Sequence, residues 1–294
     1  MSIFSIPSKE IIRKYKNSFE KELPEYIENM GNKSKLRDAC EYALLNGGKR
    51  LRPIIVLMIA EALDNSLNVM SAAAGIEFMH TASLIADDMP SMDDEEYRRD
   101  AKTLHKEYGD DLALLSSYTL IAIGYRMLYQ NKEELVKQGV VADRANLICS
   151  MALENATKCT GLEGACGGQY LDIYPREIDM EFLEEVIYKK TGTLFEVAFV
   201  LGWLYGGGDV LKIDLVKECA SCFGLAFQIQ DDILDYKEDL EKDKKINMAV
   251  AFGLDFARER YWKEIASSEE NLKKLGIYSK SFKALIRLVN QRLN

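Results

Sequence analysis

Two stretches of the sequence gather carboxylates at spacings that could hold cations. In LIADDMPSMDDEEYRR, residues 84–99, Asp87 and Asp88 end an apolar approach, and Met89-Pro90-Ser91-Met92 then delivers Asp93 and Asp94. In FGLAFQIQDDILD, residues 223–235, Asp231, Asp232 and Asp235 end a second apolar approach, with Gln228 one helical turn before them. Carboxylates this close repel one another unless water, protons or cations compensate. Either cluster alone is consistent with a solvated helix end. Together they are two sets of hard oxygen ligands of the kind that suits Mg2+, an ion that keeps waters and commonly shares its sphere with substrate phosphates. Asp94, Glu95 and Glu96 read as a solvated turn.

Cations that could receive a phosphate stand in three other places. Gly47-Gly48-Lys49-Arg50-Leu51-Arg52-Pro53 sets basic residues beside a glycine pair where the backbone can approach an anion closely. It is not a P-loop, since the Gly-x-x-x-x-Gly-Lys-Ser/Thr spacing is absent. Arg98-Arg99 follows the first Asp cluster, and Lys189-Lys190-Thr191-Gly192 interrupts a later helical stretch. The residues therefore suggest a diphosphate bridged by Mg2+ between two facing Asp clusters.

The elements that must position these groups are helices. Apolar residues recur at three and four spacing, sustained alternation is rare, and only five prolines occur, which predicts an all-α chain. Helices are expected at about 8–30, 35–46, 52–64, 69–88, 110–130, 140–158, 179–206, 210–236, 252–267 and 279–292, with breaks at Gly47-Gly48, Pro90, Gly109, Gly161 to Gly168, Pro175 and Gly206 to Gly208. No linker divides the chain, so one domain over 1–294 is expected. Thirty-eight basic against 47 acidic side chains give a formal charge of -9, which argues against a general nucleic-acid or anionic-membrane surface. The start reads as having no secretory leader, and an apolar run such as Pro53 to Ala60 falls short of the roughly 20 residues of a membrane span. A cytoplasmic location follows as the expectation. The C-x-x-C of Cys219 and Cys222, with Cys159 and Cys166, is spaced wrongly for a zinc ribbon or finger, so the thiols are expected to be reduced and buried.

In order along the chain, GGKRLRP at 47–53, FMHTASLIADDMPSMDDEEYRR at 78–99, GGQYLD at 167–172, KKTGTLF at 189–195 and FGLAFQIQDDILD at 223–235 resemble the trans-isoprenyl diphosphate synthases, or polyprenyl synthetases. The resemblance runs from about Tyr42 to Arg258. It implies an all-α bundle around a deep central cavity, a homodimer, and two Asp motifs facing each other across the mouth. Asp87, Asp88 and Asp93 would form the first Mg2+ motif, and Asp231, Asp232 and Asp235 the second. Lys49, Arg52, His80 and Arg99 would hold isopentenyl diphosphate. Arg98, Lys190, Thr191 and Gln228 would contact the allylic diphosphate, with Lys190 among the catalytic residues. The implied reaction is Mg2+-assisted ionisation of the allylic diphosphate, attack by isopentenyl diphosphate and loss of a proton.

A growing hydrocarbon must descend beside the helix that ends at Asp87, so Ala82 and Ser83, about one turn back, are expected to gauge product length. The small Ala82 stands where many farnesyl-forming relatives carry an aromatic, which favours geranylgeranyl diphosphate or a mixture containing it. Three departures stand out: Ala86 in place of a His before the Asp pair, Asp100-Ala101-Lys102 in place of Gly-Lys-Pro, and a shortened loop after Asp235, where Lys244 or Lys245 would reach the allylic diphosphate. Two other readings remain: a catalytically weak regulatory subunit, and a terpene cyclase, against which the cations Lys49, Arg52 and Arg99 argue.

Overall fold

The computed structural model describes residues 7–242 and 246–293. Helices α1 (Ser8–Glu28), α2 (Lys35–Leu45), α3 (Leu51–Leu63) and α4 (Met70–Asp87) lead to the first Asp cluster. A two-stranded hairpin, β1 (Tyr97–Arg98) with β2 (Ala101–Lys102), precedes α5 (Leu104–Tyr108), α6 (Asp110–Lys137) and α7 (Ala142–Thr160). Then come α8 (Ala165–Ile173), α9 (Met180–Ile187), a π-helical turn (Tyr188–Gly192), α10 (Thr193–Tyr205) and a 3-10 turn (Val210–Lys212). The second Asp cluster ends α11 (Ile213–Leu234), followed by α12 (Tyr236–Glu241), α13 (Met248–Phe252), α14 (Leu254–Leu275) and α15 (Lys280–Asn290).

The core lies where two helices are apolar nearly all round. Every residue of α10 is buried, and so are twelve positions of α4, as expected of interior helices. An outer helix such as α1 instead buries one stripe, Tyr15, Phe19, Leu23 and Ile27, at a spacing of four. Helices α4 and α6 run antiparallel and close together. Asn131 Oδ1 accepts from the Ala72 N–H at 2.9 Å, and Ser117 Oγ donates to the Ala82 carbonyl at 3.0 Å. Between these points a Cβ on Gly75 would sit 3.0 Å from the Gly124 carbonyl oxygen. By length and composition α6 could cross a bilayer, but Ala113, Ser116, Leu120 and Ile123 are buried in the bundle.

The all-α expectation holds, with instructive differences. The expected break at Gly161 to Gly168 holds from Gly161 to Gly164, between α7 and α8, but Gly167 and Gly168 lie inside α8. A Cβ on Gly168 would be 2.3 Å from the Lys190 amide nitrogen, and one on Gly224 would be 2.9 Å from Gly192 Cα. The glycines therefore let α8 and α11 press against the π turn from two sides. That turn breaks the expected helix 179–206 in two, and Tyr188 pins it from behind by donating to Glu196 Oε2 at 2.6 Å. The hairpin also escaped helical periodicity. Arg99 and Asp100 have φ of +54° and +67°, the pair of positive values that a two-residue type I′ turn needs. All six cysteines are free; Cys40, Cys149, Cys159 and Cys219 are buried as expected, whereas Cys166 is exposed and Cys222 half-buried.

The packing at Gly168 has a direct consequence. Gly168→Ala should destabilise the protein by about 1–3 kcal/mol, because the new methyl meets backbone that cannot yield cheaply. Thermal melts of the two proteins would show it, and an unchanged midpoint would contradict the close approach.

Candidate active site

The first Asp cluster is built by the end of α4 and the loop that folds back over it. Asp93 N–H donates to the Asp87 carbonyl at 2.9 Å and Asp94 N–H to that of Met89 at 3.1 Å, which returns Asp93 to the neighbourhood of Asp87. Asp87 is half-buried, and burial lifts its carboxyl from 3.8 to about 6. The Lys190 ammonium draws it back down, while the Asp93 carboxylate pushes it further up. Asp88 is buried and already neutralised: Arg98 Nε lies 2.8 and 2.7 Å from its two oxygens. Arg98, expected to meet an allylic diphosphate, is thus turned onto its own Asp motif.

Beside this cluster lies a bowl of cations. Arg52 Nη1 is 3.1 Å from His80 Nε2, and the Arg52 guanidinium stacks 4.6 Å from the centre of the Phe195 ring. Burial, then Arg52, Arg99, Arg98 and Arg50, hold His80 well below its usual range, so the ring is neutral. A neutral ring accepting at Nε2 carries its proton on Nδ1, and that Nδ1 is buried with no hydrogen-bond partner in the structure. Burial also lowers Arg52 to about 10, with Glu77 opposing the shift. Arg99 Nη1 donates to the Gly47 carbonyl at 2.7 Å and fills the place a Cβ on Gly48 would take. Lys49 is exposed at the rim.

Two residues nearby change the reading of the GGKRLRP motif. Arg50 faces inward in the left-handed region, φ +51°, and its Nη1 donates to the buried Glu77 at 2.7 Å, so it is a strut rather than an anion ligand. Lys16 of α1 reaches the same loop, donating to the Gly48 carbonyl at 2.8 Å. Sequence reasoning missed Lys16 because it lies far from any motif.

The π turn and α11 form the opposite side. Lys190 pairs with Asp172 of α8, and Thr191 Oγ1 donates to Gln228 Oε1 at 2.8 Å. The three aspartates of the second cluster diverge. Asp231 accepts from Arg292 Nη2 at 2.8 Å; Asp232 is buried, bonded to Gln228 Nε2 at 2.9 Å and to the Met248 N–H at 2.8 Å; Asp235 is exposed at the helix end. A cavity of about 120 Å³ is bounded by Asp172, Lys190, Thr191, Gln228, Asp232 and Ile246, among others. The sides belong to one mouth, since Asp87 lies in the field of Lys190 and Arg52 in that of Asp231. Asp172 was within reach of the sequence, in GGQYLD; Arg292, the last but one of the described residues, carried no signal. Lys245 and Lys244 lie outside the described residues.

Among the described residues no three His, Cys, Asp or Glu side chains converge on one point. Asp87, Asp93 and Asp231 nevertheless offer oxygen donors only, and burial raises the proton affinity of Asp87 in spite of the nearby Lys190. That donor set fits a hard divalent ion that completes its sphere with water and phosphate oxygens.

The length-gauging positions differ from each other. Besides Met70 at its start, the half-buried residues of α4 are His80, Ser83, Leu84, Ala86 and Asp87, so Ser83 lies on the open face. Ala82 is 1% exposed and packs toward α6.

The model of the polyprenyl synthetase family matches residues 33–256. Geranylgeranyl pyrophosphate synthase 11 of Arabidopsis thaliana is 37% identical over 213 residues, 70% of this chain and 57% of that protein. Putative geranylgeranyl pyrophosphate synthase 8 of the same plant is 33% identical over 271 residues, 87% of this chain and 72% of its own. The chain thus spans between about half and three quarters of these relatives. Among solved structures, geranyltransferase from Legionella pneumophila superposes with a TM-score of 0.83 at 26% identity, covering 97% of both chains.

The state of Asp87 can be measured. Its carboxyl binds a proton more tightly folded than unfolded, so it favours folding while protonated and loses that contribution as pH rises through about 6. In metal-free buffer at pH 7.5, Asp87→Asn should be more stable than wild type by about 1–2 kcal/mol, the gap shrinking as pH falls from about 6 and closing near the ordinary carboxyl value of 3.8. Melting curves across pH would decide; a constant gap would rule out the titration.

Proposed function

The chain belongs to the polyprenyl synthetase family, and on that premise we propose that it joins isopentenyl diphosphate to an allylic diphosphate. The observation that carries this reading is the pair of separate anion-receiving surfaces at one mouth. Arg52, His80, Arg99 and Lys49 stand on one side, and Lys190, Thr191 and Gln228 on the other. Two surfaces suit two diphosphates, whereas a cyclase holds one.

The chemistry follows from charge. The allylic C–O bond breaks with its electron pair leaving on the diphosphate, and the π pair of isopentenyl diphosphate forms the new C–C bond. Loss of a proton to the released diphosphate then restores a double bond. Mg2+, held by Asp87, Asp93 and Asp231, would stabilise the negative charge of the leaving diphosphate. Lys190 supplies a further positive charge beside Asp87, and Arg98 can turn from Asp88 to the diphosphate once that carboxylate has another cation. The neutral His80 contributes an Nδ1–H donor without adding charge to a crowded arginine cluster, and Phe195 and Arg52 keep water from one side of the bowl.

Product length is set by depth. From Asp87 to Gly75, opposite Gly124, α4 descends about 18 Å at its ordinary rise, and Ala82 and Ser83 put no aromatic ring on the way. At that level Met79, Met127 and Leu128 crowd the two glycines, and Tyr125, next to Gly124, is hydrogen-bonded to Thr160 of α7. Geranylgeranyl diphosphate is the expected main product. Ala82→Tyr should shift it to farnesyl diphosphate in an assay with labelled isopentenyl diphosphate, Mg2+ and dimethylallyl, geranyl or farnesyl diphosphate. A wild type that stops cleanly at farnesyl would sink the length assignment, and cyclic hydrocarbons the transferase reading.

A second copy of the chain is the proposed partner. Helix α6 leaves Leu114, Leu115, Tyr118 and Tyr129 exposed, and α7, packed against it, leaves Leu147, with Val141 just before it also exposed. Apolar surface concentrated in this way marks an interface. Light scattering should give about twice the 33.4 kDa of one chain, and Tyr118→Glu should halve it; a wild-type monomer would refute the dimer.

A further inference from the structure

The second Asp motif contains a carboxylate whose surroundings do not suit a metal. Asp232 is 5% exposed, and each of its oxygens faces a donor: Oδ1 the Gln228 amide at 2.9 Å, Oδ2 the Met248 N–H at 2.8 Å. A cation approaching either oxygen meets a hydrogen already directed at it, and taking Oδ2 would strand a buried backbone N–H. Asp231, 30% exposed in its side chain, has no such enclosure.

The bonds around Asp232 join three elements. Its carbonyl accepts from Asn247 Nδ2 at 3.0 Å, the same amide reaches Asp239 Oδ2 at 2.9 Å, and Asn247 Oδ1 caps α13 by accepting the Val250 N–H at 2.9 Å. On the other flank Gln228 passes the connection to Thr191 on the π turn at 2.8 Å, one residue from Lys190. An ionised carboxylate, which only accepts, is the group that can satisfy an amide N–H and a backbone N–H at once; an asparagine in its place must turn its own N–H toward one of them.

We propose that Asp232 is a positioning residue: its carboxylate docks the amino end of α13 onto α11 and thereby holds the Thr191–Gln228 pair beside Lys190 at the allylic diphosphate. Cation contacts from this side fall to Asp231. The functional half of the inference rests on the transferase reading; the docking half rests on geometry alone.

Three variants separate the roles. Asp232→Asn disturbs the carboxylate, Asn247→Ala removes the neighbouring bonds, one of them to Asp239, while leaving the Asp232 carboxylate in place, and Asp231→Asn is the contrast. In ligand-free protein, hydrogen exchange at the Met248 amide should quicken about tenfold or more in the first two and stay within about twofold in the third. In turnover, the Mg2+ concentration for half-maximal rate should rise about tenfold in Asp231→Asn, while Asp232→Asn and Asn247→Ala stay within about twofold and instead show raised KM for the allylic diphosphate and lowered kcat. An Asp232→Asn protein with wild-type Met248 exchange and the Mg2+ requirement of Asp231→Asn overturns the proposal. A wild type without turnover overturns the transferase reading, and the exchange measurement then decides the docking role by itself.

Discussion

Charge compensation at the mouth of the bundle is the constraint on which the rest of the structure depends. Acidic side chains there cannot all be left to water, because the apolar helices that deliver them partly enclose them. The chain answers by pairing acids with bases from distant segments: Asp88 with Arg98, Asp172 with Lys190, Glu77 with Arg50, and Asp231 with Arg292. Each pair ties one element to another, so the electrostatics and the tertiary arrangement are one solution. Asp87 shows the cost of enclosure: burial raises its proton affinity even with Lys190 and Arg98 drawing it back down.

The same principle separates support from contact. Arg50 and Arg52 are two residues apart on one motif, yet Arg50 lies in the left-handed region and is locked to Glu77, while Arg52 lies in α3 and meets His80. Asp231 and Asp232 are adjacent, yet one is open to the mouth and the other enclosed by donors. Residue type brings a group to the neighbourhood; the backbone decides whether it faces the ligand or braces the wall.

This is also where the sequence stops being legible. Helical periodicity located α4 and α11, and the acids that end them, because burial imposes a spacing that any reader of the chain can see. The glycines from 161 signal a break, and one lies at Gly161–Gly164, but Gly167 and Gly168 carry the helix α8, where the missing side chain of Gly168 admits the backbone of the π turn. Lys16, Arg292 and Asn247 take part through contacts spanning long stretches of sequence or an irregular turn, and no local pattern encodes such partners. The hairpin needed two positive φ angles at an arginine and an aspartate, residues that do not announce a turn as Asn-Gly would.

That hairpin places Arg98 on Asp88 of α4 and Arg99 on the glycine loop before α3, using consecutive residues. Its ladder pairs Arg98 with Ala101, and inserting or deleting one residue in β1 would turn each side chain toward the opposite face. Both arginines would then lose their partners together. The segment can therefore change residue by residue over evolutionary time far more readily than it can change length, and variation among descendants of this chain should respect its length while exploring its exposed side chains.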